Sequence, residues 1–307
     1  MNSQPKMDIS VVIPAFNSEH TISELAHRII RLFSTSKKNC NYEIIIVDDA
    51  SNDGTWDAIL LLKAKFQTII NGIQLRFNQG QHAATLNGMR LASGIIIITI
   101  DDDLQTPPEE ILKLTDAYAN SDANVIYGIY EQKKHSTLKN LGSRLLTYIL
   151  KKFGNLHQRS SSFRLIDRMV VERLINVTTD FYFLEGLIPE FTDKIVYKKV
   201  THLPRIIGRS NYSFNNMLLF FVKIIFEYTS LPRKIILISL PAMIIAIIAS
   251  IAGELFHVEE LSTFNLLFLS LAVLAFVLFL FVTIFSIKTK GQNTHDNFHS
   301  FKIAEII

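Results

Sequence analysis

A chain of 307 residues, 49% of them hydrophobic, with a mean hydropathy of +0.25, is too apolar for an ordinary soluble enzyme and long enough for a full domain plus an apolar extension. Its 31 basic and 28 acidic residues leave a formal charge of only +3, which provides no electrostatic ground for nucleic acid as a partner. One cysteine, Cys40, excludes an internal disulfide and a cysteine-rich metal site and suits a reducing compartment.

Met1 to Ser10 is polar and runs straight into an apolar strand pattern, so no signal peptide is expected. From Asp8 to Tyr127 short apolar runs alternate with amphipathic stretches. "ISVVIPAF" (9–16), "YEIIIVDD" (42–49), "IQLRFN" (73–78), "IIIITIDDD" (95–103) and "ANVIYG" (123–128) read as strands, with helices between them. In the first helix Ile22, Leu25, Ala26, Ile29, Ile30 and Phe33 share one face, and Ser18 is a plausible N-cap. Strands apolar throughout and separated by helices predict an α/β domain whose largely parallel sheet is covered on both faces.

In such sheets ligands gather beyond the carboxyl ends of the strands. Three of those ends are polar or acidic here: Pro14 to Asn17, Asp48 with Asp49, and Asp101 to Asp103. They are expected to converge on one crevice. After the last of them, "TPPEE" reads as a helix start, with Thr106 as cap, Pro107 at the first helical position and Glu109 closing a capping box.

Further along, Thr137 to Phe153 is amphipathic and basic, and Ser213 to Ser230 is apolar and rich in Phe; both suit the headgroup plane of a bilayer, the first of them equally a core helix. Ile235–Gly253 and Phe264–Ile287 are uncharged stretches of 19 and 24 residues, each long enough to cross a hydrocarbon layer of roughly 30 Å. Arg233 and Lys234 precede the first and Lys288 and Lys290 follow the second, whereas the intervening hairpin carries Glu254, Glu259 and Glu260. That charge pattern predicts a two-span protein of the cytoplasmic membrane with both termini, and hence the N-terminal domain, in the cytosol. The expected organisation is a catalytic domain over 1–212, an interfacial helix over 213–233, a transmembrane hairpin over 234–290 and a cytosolic tail over 291–307. Paired apolar spans also permit a homo-oligomer.

Adjacent carboxylates repel, and burying them costs several kcal/mol apiece unless a cation or protons offset the charge. Asp101 and Asp103 lie two apart, so on extended backbone their side chains point the same way, and Gln105 adds a third oxygen in register. Oxygen ligands in small number suit Mg²⁺ or Mn²⁺, whose remaining positions go to water and to substrate phosphates. His82, at a helix start beside the crevice, is a candidate donor contact or a locally packed histidine.

These segments, "VVIPAFNSE", "IIIVDDASNDGT", "NQGQHAATLNGMRLASG" and "IDDDLQTPPEE", resemble the successive motifs of family 2 glycosyltransferases of GT-A fold. Within that family they are most similar to the branch that loads sugars onto polyprenyl phosphates. The resemblance implies inverting transfer from a nucleotide-sugar donor to a polyprenyl phosphate such as undecaprenyl phosphate, beside a lipid bilayer, for cell-envelope glycans. It implies that Pro14, Phe16 and Asn17 line the nucleotide pocket with Gly80 and His82, that Asp48 or Asp49 accepts from the base, and that Asp101, Asp103 and Gln105 hold the metal, with Asp102 at a position often small. Asp103, Arg164 and Arg205 are the implied catalytic set. Lys134, Lys139, Arg144 and Tyr212 are candidates for the acceptor phosphate. Two departures stand out: Ser162 occupies the place of an acid before the Phe-Arg pair, and lysines stand near Tyr130 where relatives carry Arg. Two other readings are a transferase acting on a hydroxyl of a lipid-linked glycan and a non-catalytic nucleotide-sugar binding protein. A processive synthase is disfavoured, because Trp56, the one tryptophan, lies outside any Q-x-x-R-W element.

Overall fold

The computed structural model describes residues 7–36, 40–130, 161–179, 181–204, 214–232 and 303–307, together with scattered helical positions between 234 and 281. The chain divides into two compact units, one gathering Met1–Asn140, Leu156–Tyr212 and Phe298–Ile307, the other Leu141–Asn155 and Ser213–Asn297.

The first unit is built in the order β1 (Ile9–Ala15), α1 (Ile22–Thr35), β2 (Tyr42–Asp48), α2 (Thr55–Lys65), β3 (Ile70–Leu75), α3 (Gln81–Leu91), β4 (Ile96–Thr99), α4 (Ile111–Ala119), β5 (Val125–Tyr130), β6 (Arg164–Asp167), α5 (Arg168–Ile175), α6 (Leu184–Phe191), β7 (Ile195–Val200) and β8 (Ile303–Ile306). One eight-stranded sheet runs β7-β5-β6-β4-β1-β2-β3-β8. β1 pairs in parallel with β2 and β4, β2 with β3, and β5 with β7. β6 is antiparallel to both β4 and β5, and β8 is antiparallel to β3. The α/β architecture with a mostly parallel sheet is therefore as expected.

The apolar runs become central strands because both faces of the sheet are covered. Val11 and Ile13 of β1 and Ile44 and Ile46 of β2 join one cluster with Ile22, Leu25 and Ile29 of α1, Ile59 and Leu62 of α2, and Ile111 and Leu114 of α4. Successive strand residues face opposite ways, so Val12 and Val47 meet α3 on the other face. There the helix approaches so closely that a Cβ on Gly88 would lie 2.4 Å from Val12 Cγ1. Each fully buried Val, Leu or Ile contributes about 1.5–3 kcal/mol, which makes the two-sided centre the stable part of the sheet.

The amino ends of the strands are tied by one buried carboxylate. Glu43 accepts from the Ser10 hydroxyl at 2.7 Å, from the Ser93 amide and hydroxyl at 2.7 Å each, and from Asn71 Nδ2 at 3.1 Å. The described active-site candidates lie at the opposite end.

Five local expectations are corrected. β3 begins at Ile70 rather than Ile73 and ends at Leu75, because Ile70, Asn71 and Gly72 pair with Ile44, Ile45 and Ile46 of β2 and Gly72 also bonds to Ile307. Thr21, not Ser18, is the N-cap of α1. Thr106 does not cap either, because its hydroxyl meets Tyr130 Oη at 2.7 Å; the chain enters α4 through a 3-10 turn, Pro108–Glu110, with Pro107 as its cap. Glu109, instead of closing a capping box, pairs with Arg28 of α1 at 2.5 Å. Lastly, residues expected only as a tail supply β8, whose neighbour Ile307 exchanges backbone hydrogen bonds with Gly72 at 2.9 and 3.0 Å. This strand covers the edge of β3.

In the second unit α7 (Phe214–Tyr228) forms where a helix was expected. The described positions beyond it, among them Leu237, Ile238, Ile247, Ile248, Phe276 and Phe281, are helical and exposed. Among the described residues no helix is long and apolar enough to cross a membrane. Most of both expected spans, and all of Thr137 to Phe153, lie outside the described residues.

Candidate active site

Strand direction brings the acidic segments together. β1, β2 and β4 end at one edge of the sheet with Ala15, Asp48 and Thr99. The antiparallel β6 starts at that same edge, since Arg164 pairs with Thr99. Ser162, Phe163 and Arg164 thus arrive beside the acidic loop from a distant part of the chain. Three non-glycine residues here are left-handed: Asn17, Ala50 and Leu104, with φ of 54°, 57° and 58°. Asn tolerates that region, whereas Ala and Leu cost roughly 1–2 kcal/mol each, and such strain clusters where loops are shaped for function.

Asp101 is the best-connected member of the acidic loop. Its Oδ1 accepts from Gln81 Nε2 at 2.6 Å and its Oδ2 from the Ser162 hydroxyl at 2.6 Å. Burial, reinforced by Asp103 and Asp102, pushes its carboxyl up to about 7, against the pull of Ser162 and Arg164. Asp102 turns toward β1, accepting from the Phe16 amide at 3.1 Å and from the Ser18 hydroxyl. Burial raises its carboxyl too. Asp103 accepts from the Gln105 amide at 3.0 Å, which closes the loop on itself.

Gln105 also receives the chain that follows β7. The Leu203 amide donates to the Gln105 carbonyl at 2.7 Å, and Gln105 Nε2 donates to the Leu203 carbonyl at 3.3 Å. With its nitrogen so engaged, Gln105 has its Oε1 left to serve as a ligand. Tyr130, whose ring lies 4.3 Å from that of His202, has its hydroxyl pushed up to about 12 by burial.

The other predicted nucleotide residues stand at the carboxyl ends of β1 and β2 and in the loops that follow β1, β2 and β3. Pro14 is buried within β1, Phe16 is half-buried and Asn17 is exposed. Asn17 Oδ1 accepts from the Asn52 amide and its own amide donates to Ser51 Oγ, each at 2.9 Å, stitching the β1–α1 and β2–α2 loops. Asp48 is 0% exposed, and its two oxygens accept from the Ser51 amide and Gln74 Nε2. Asp49 accepts from the amides of Gln79 at 2.7 Å and Gly80 at 2.8 Å. Burial pushes its carboxyl up to about 6 despite those two bonds, with Asp48 adding to the rise. Gly80 (φ 85°) needs its glycine for backbone conformation alone, since a Cβ there would meet nothing within 4 Å.

Arg164, one of the implied catalytic set, is 2% exposed. Its Nη2 lies 3.2 Å from Glu185 Oε1, its Nε donates to Thr99 Oγ1 at 3.3 Å, and its guanidinium covers the Tyr127 ring at 5.8 Å. The partner carboxylate comes from the first turn of α6, out of sight in the sequence. Glu185 also lies 3.4 Å from His82 Nδ1 through its Oε2. Burial works against the charge of Glu185, yet Arg164 and His82 hold its carboxyl below the usual range. Burial, with Arg164, lowers His82 against the pull of Glu185. Arg205, Tyr212, Lys134, Lys139 and Arg144 lie outside the described residues.

Sequence reasoning missed Gln81 and Glu185 and saw Ser162 only as a departure. Gln81 sits beside His82 in the quoted "GQHAA" stretch, so a signal existed; Glu185 is an unremarkable helix-start acid. The donor set fits a hard divalent cation: Asp101, Asp103 and Gln105 offer oxygen only, and a cation relieves the cost of ionising Asp101. Among the described residues no three His, Cys, Asp or Glu side chains form a metal cage.

The sequence profile described as Glycosyl transferase family 2 matches residues 10–175. The chain is 28% identical over 238 residues to the undecaprenyl-phosphate 4-deoxy-4-formamido-L-arabinose transferase of Aeromonas hydrophila, covering 77% of this chain and 72% of the relative. It is 27% identical over 248 residues to the Salmonella choleraesuis protein of the same name, covering 80% and 74%. Among solved structures it is similar to glucosyl-3-phosphoglycerate synthase from Mycobacterium tuberculosis, in complex with Mn²⁺, UDP-glucose and phosphoglyceric acid, with a TM-score of 0.53, 18% identity and coverage of 72% of this chain and 78% of that one. That likeness shows a GT-A-like fold. With the profile spanning more than half of its length, the chain belongs to glycosyl transferase family 2.

Proposed function

We propose that this protein transfers a sugar from a nucleotide diphosphate sugar to a polyprenyl phosphate, undecaprenyl phosphate being the acceptor named for its relatives. The observation that carries the reading is the acidic loop Asp101–Gln105 at the carboxyl edge of the sheet, with Asp101 held between Gln81 of α3 and Ser162 before β6. Asp101, Asp103 and Gln105 would hold Mg²⁺ or Mn²⁺. When bound, the ion supplies positive charge against the leaving diphosphate.

The acceptor chemistry explains why Ser162 is compatible with activity where relatives have an acid. A hydroxyl acceptor needs a general base, whereas a phosphate monoester, with a second pKa of about 6, is already ionised at pH 7. The protein's task is then orientation. The stitched β1–α1 and β2–α2 loops shape the nucleotide side, and the Gln105–Leu203 bonds anchor the segment leading to Arg205, a candidate for the acceptor phosphate.

The apolar stretches Ile235–Gly253 and Phe264–Ile287 place the reaction at the cytoplasmic membrane in this reading, with α7 in the headgroup plane. The β3–β8 pairing supports an even number of crossings, because the residues after 302 share a sheet with those before 200. A screen of nucleotide sugars against undecaprenyl phosphate should yield an acid-labile lipid product. Asp103→Ala should reduce turnover at least 100-fold, consistent with loss of about 3 kcal/mol of transition-state stabilisation, with membrane insertion unchanged. Full activity of that variant in a metal-defined assay would remove the role given to the loop.

A further inference from the structure

Two carboxylates bridge the same two segments of the chain. Asp101 accepts from Gln81 with one oxygen and from Ser162 with the other. Glu185 faces His82 with one oxygen and Arg164 with the other, at 3.4 and 3.2 Å. Gln81 and His82 are the first two residues of α3, and Ser162 and Arg164 flank the start of β6. The bridges therefore run side by side, one from the acidic loop and one from the first turn of α6.

We propose that Glu185 is a positioning residue, holding the start of α3 and the start of β6 in register so that Asp101 is presented correctly to a divalent cation. This rests on the site reading above. A cation held by Asp101 would draw on oxygens that already accept from Gln81 and Ser162, so the first bridge would be shared with the ion. The second bridge makes no use of Asp101 and persists. Its closeness is enforced by its surroundings, for Arg164 and Glu185 are 2% and 8% exposed and the His82 ring packs edge-on against Phe183, 5.3 Å between centroids. A further path joins the bridges: the Arg164 Nε–Thr99 bond continues through the Thr99 hydroxyl to the Ser162 carbonyl. Nothing in this arrangement requires Glu185 to touch substrate.

The test uses the full chain in detergent, with Mn²⁺ titrated alone and in the presence of UDP, followed by calorimetry and by the rise in melting temperature on adding the ion. Glu185→Gln keeps the size of the side chain but replaces the acceptor facing either His82 or Arg164. Glu185→Asp keeps the charge that balances Arg164, and with it the fold, but is one methylene too short to span both partners. Both variants should raise the apparent Kd for Mn²⁺ by about 3- to 10-fold, less than the roughly 10- to 100-fold that follows removal of a group bonded directly to a metal ligand, and should shrink the metal-dependent gain in melting temperature. Should Glu185→Gln fail to fold, Glu185→Asp carries the same expectation. A purely structural role predicts a lower melting temperature without metal and an unchanged Kd, and that result overturns the proposal. Absence of Mn²⁺ binding by the unmutated protein, alone and with UDP, overturns the site reading and this proposal with it.

Discussion

Asp101→Asn should stabilise the metal-free protein while abolishing its chemistry. Burial, followed by the Asp103 and Asp102 charges, pushes the Asp101 carboxyl from 3.8 up to about 7. A rise of about 3 units corresponds to about 4 kcal/mol of penalty for the ionised form. Because Asp101 retains some exposure, about 1–3 kcal/mol is expected in practice. Asn keeps an oxygen for the Ser162 hydroxyl, and the Gln81 amide turns over to meet the new NH₂. The folded state binds the Asp101 proton more tightly than the unfolded chain does, so its contribution is fully present below pH 4 and is lost as pH rises through about 7. Thermal unfolding in chelator at pH 5 and pH 8 measures this directly. The unmutated protein should lose stability relative to Asp101→Asn between the two, leaving the variant several degrees ahead at pH 8, at about 2–4 °C per kcal/mol for a domain of this size. Mn²⁺ should reverse the order, since it stabilises only the carboxylate. A variant that melts at or below the unmutated protein at pH 8 without metal would refute the argument.

At the opposite end of the sheet, Glu43→Ala should cost about 3 kcal/mol or more, because it strands the donors of Ser10, Ser93 and Asn71; a urea midpoint shifted by less than the equivalent of 1 kcal/mol would contradict that. Ala50→Gly, at φ 57°, should gain about 0.5–1 kcal/mol by relieving left-handed strain, read as a higher melting temperature. Deleting residues 303–307 uncovers the edge of β3 and should promote self-association; light scattering that stays monodisperse at high concentration would show the edge to be protected by other means.

How much of this was legible in the residues depends on the range of the interaction. β1, β2 and β4 announce themselves because a strand buried on both faces must be apolar throughout, a property of a few consecutive residues. The carboxylates after them were placed in one crevice by the same logic, since parallel strands deliver their carboxyl ends to one edge. Ser18 and Thr106 were misread as caps because each hydroxyl had a better partner from elsewhere, Asp102 for one and Tyr130 for the other. The start of β3 was missed because Ile70 to Gly72 are held in the strand by β2, a partner distant in the chain.

The amino-acid sequence by itself determined the alternation of strands and helices, the anionic loop and its suitability for a hard cation. Only the tertiary structure decided that Arg164 lies beneath the site with Glu185 and His82, that Ser162 reaches Asp101, and that the last residues return to the sheet. The physical reason is that local pattern reports what a segment must bury. Which buried charge meets which is settled by strand order and direction, and Glu185 stands 21 positions from Arg164 and 103 from His82.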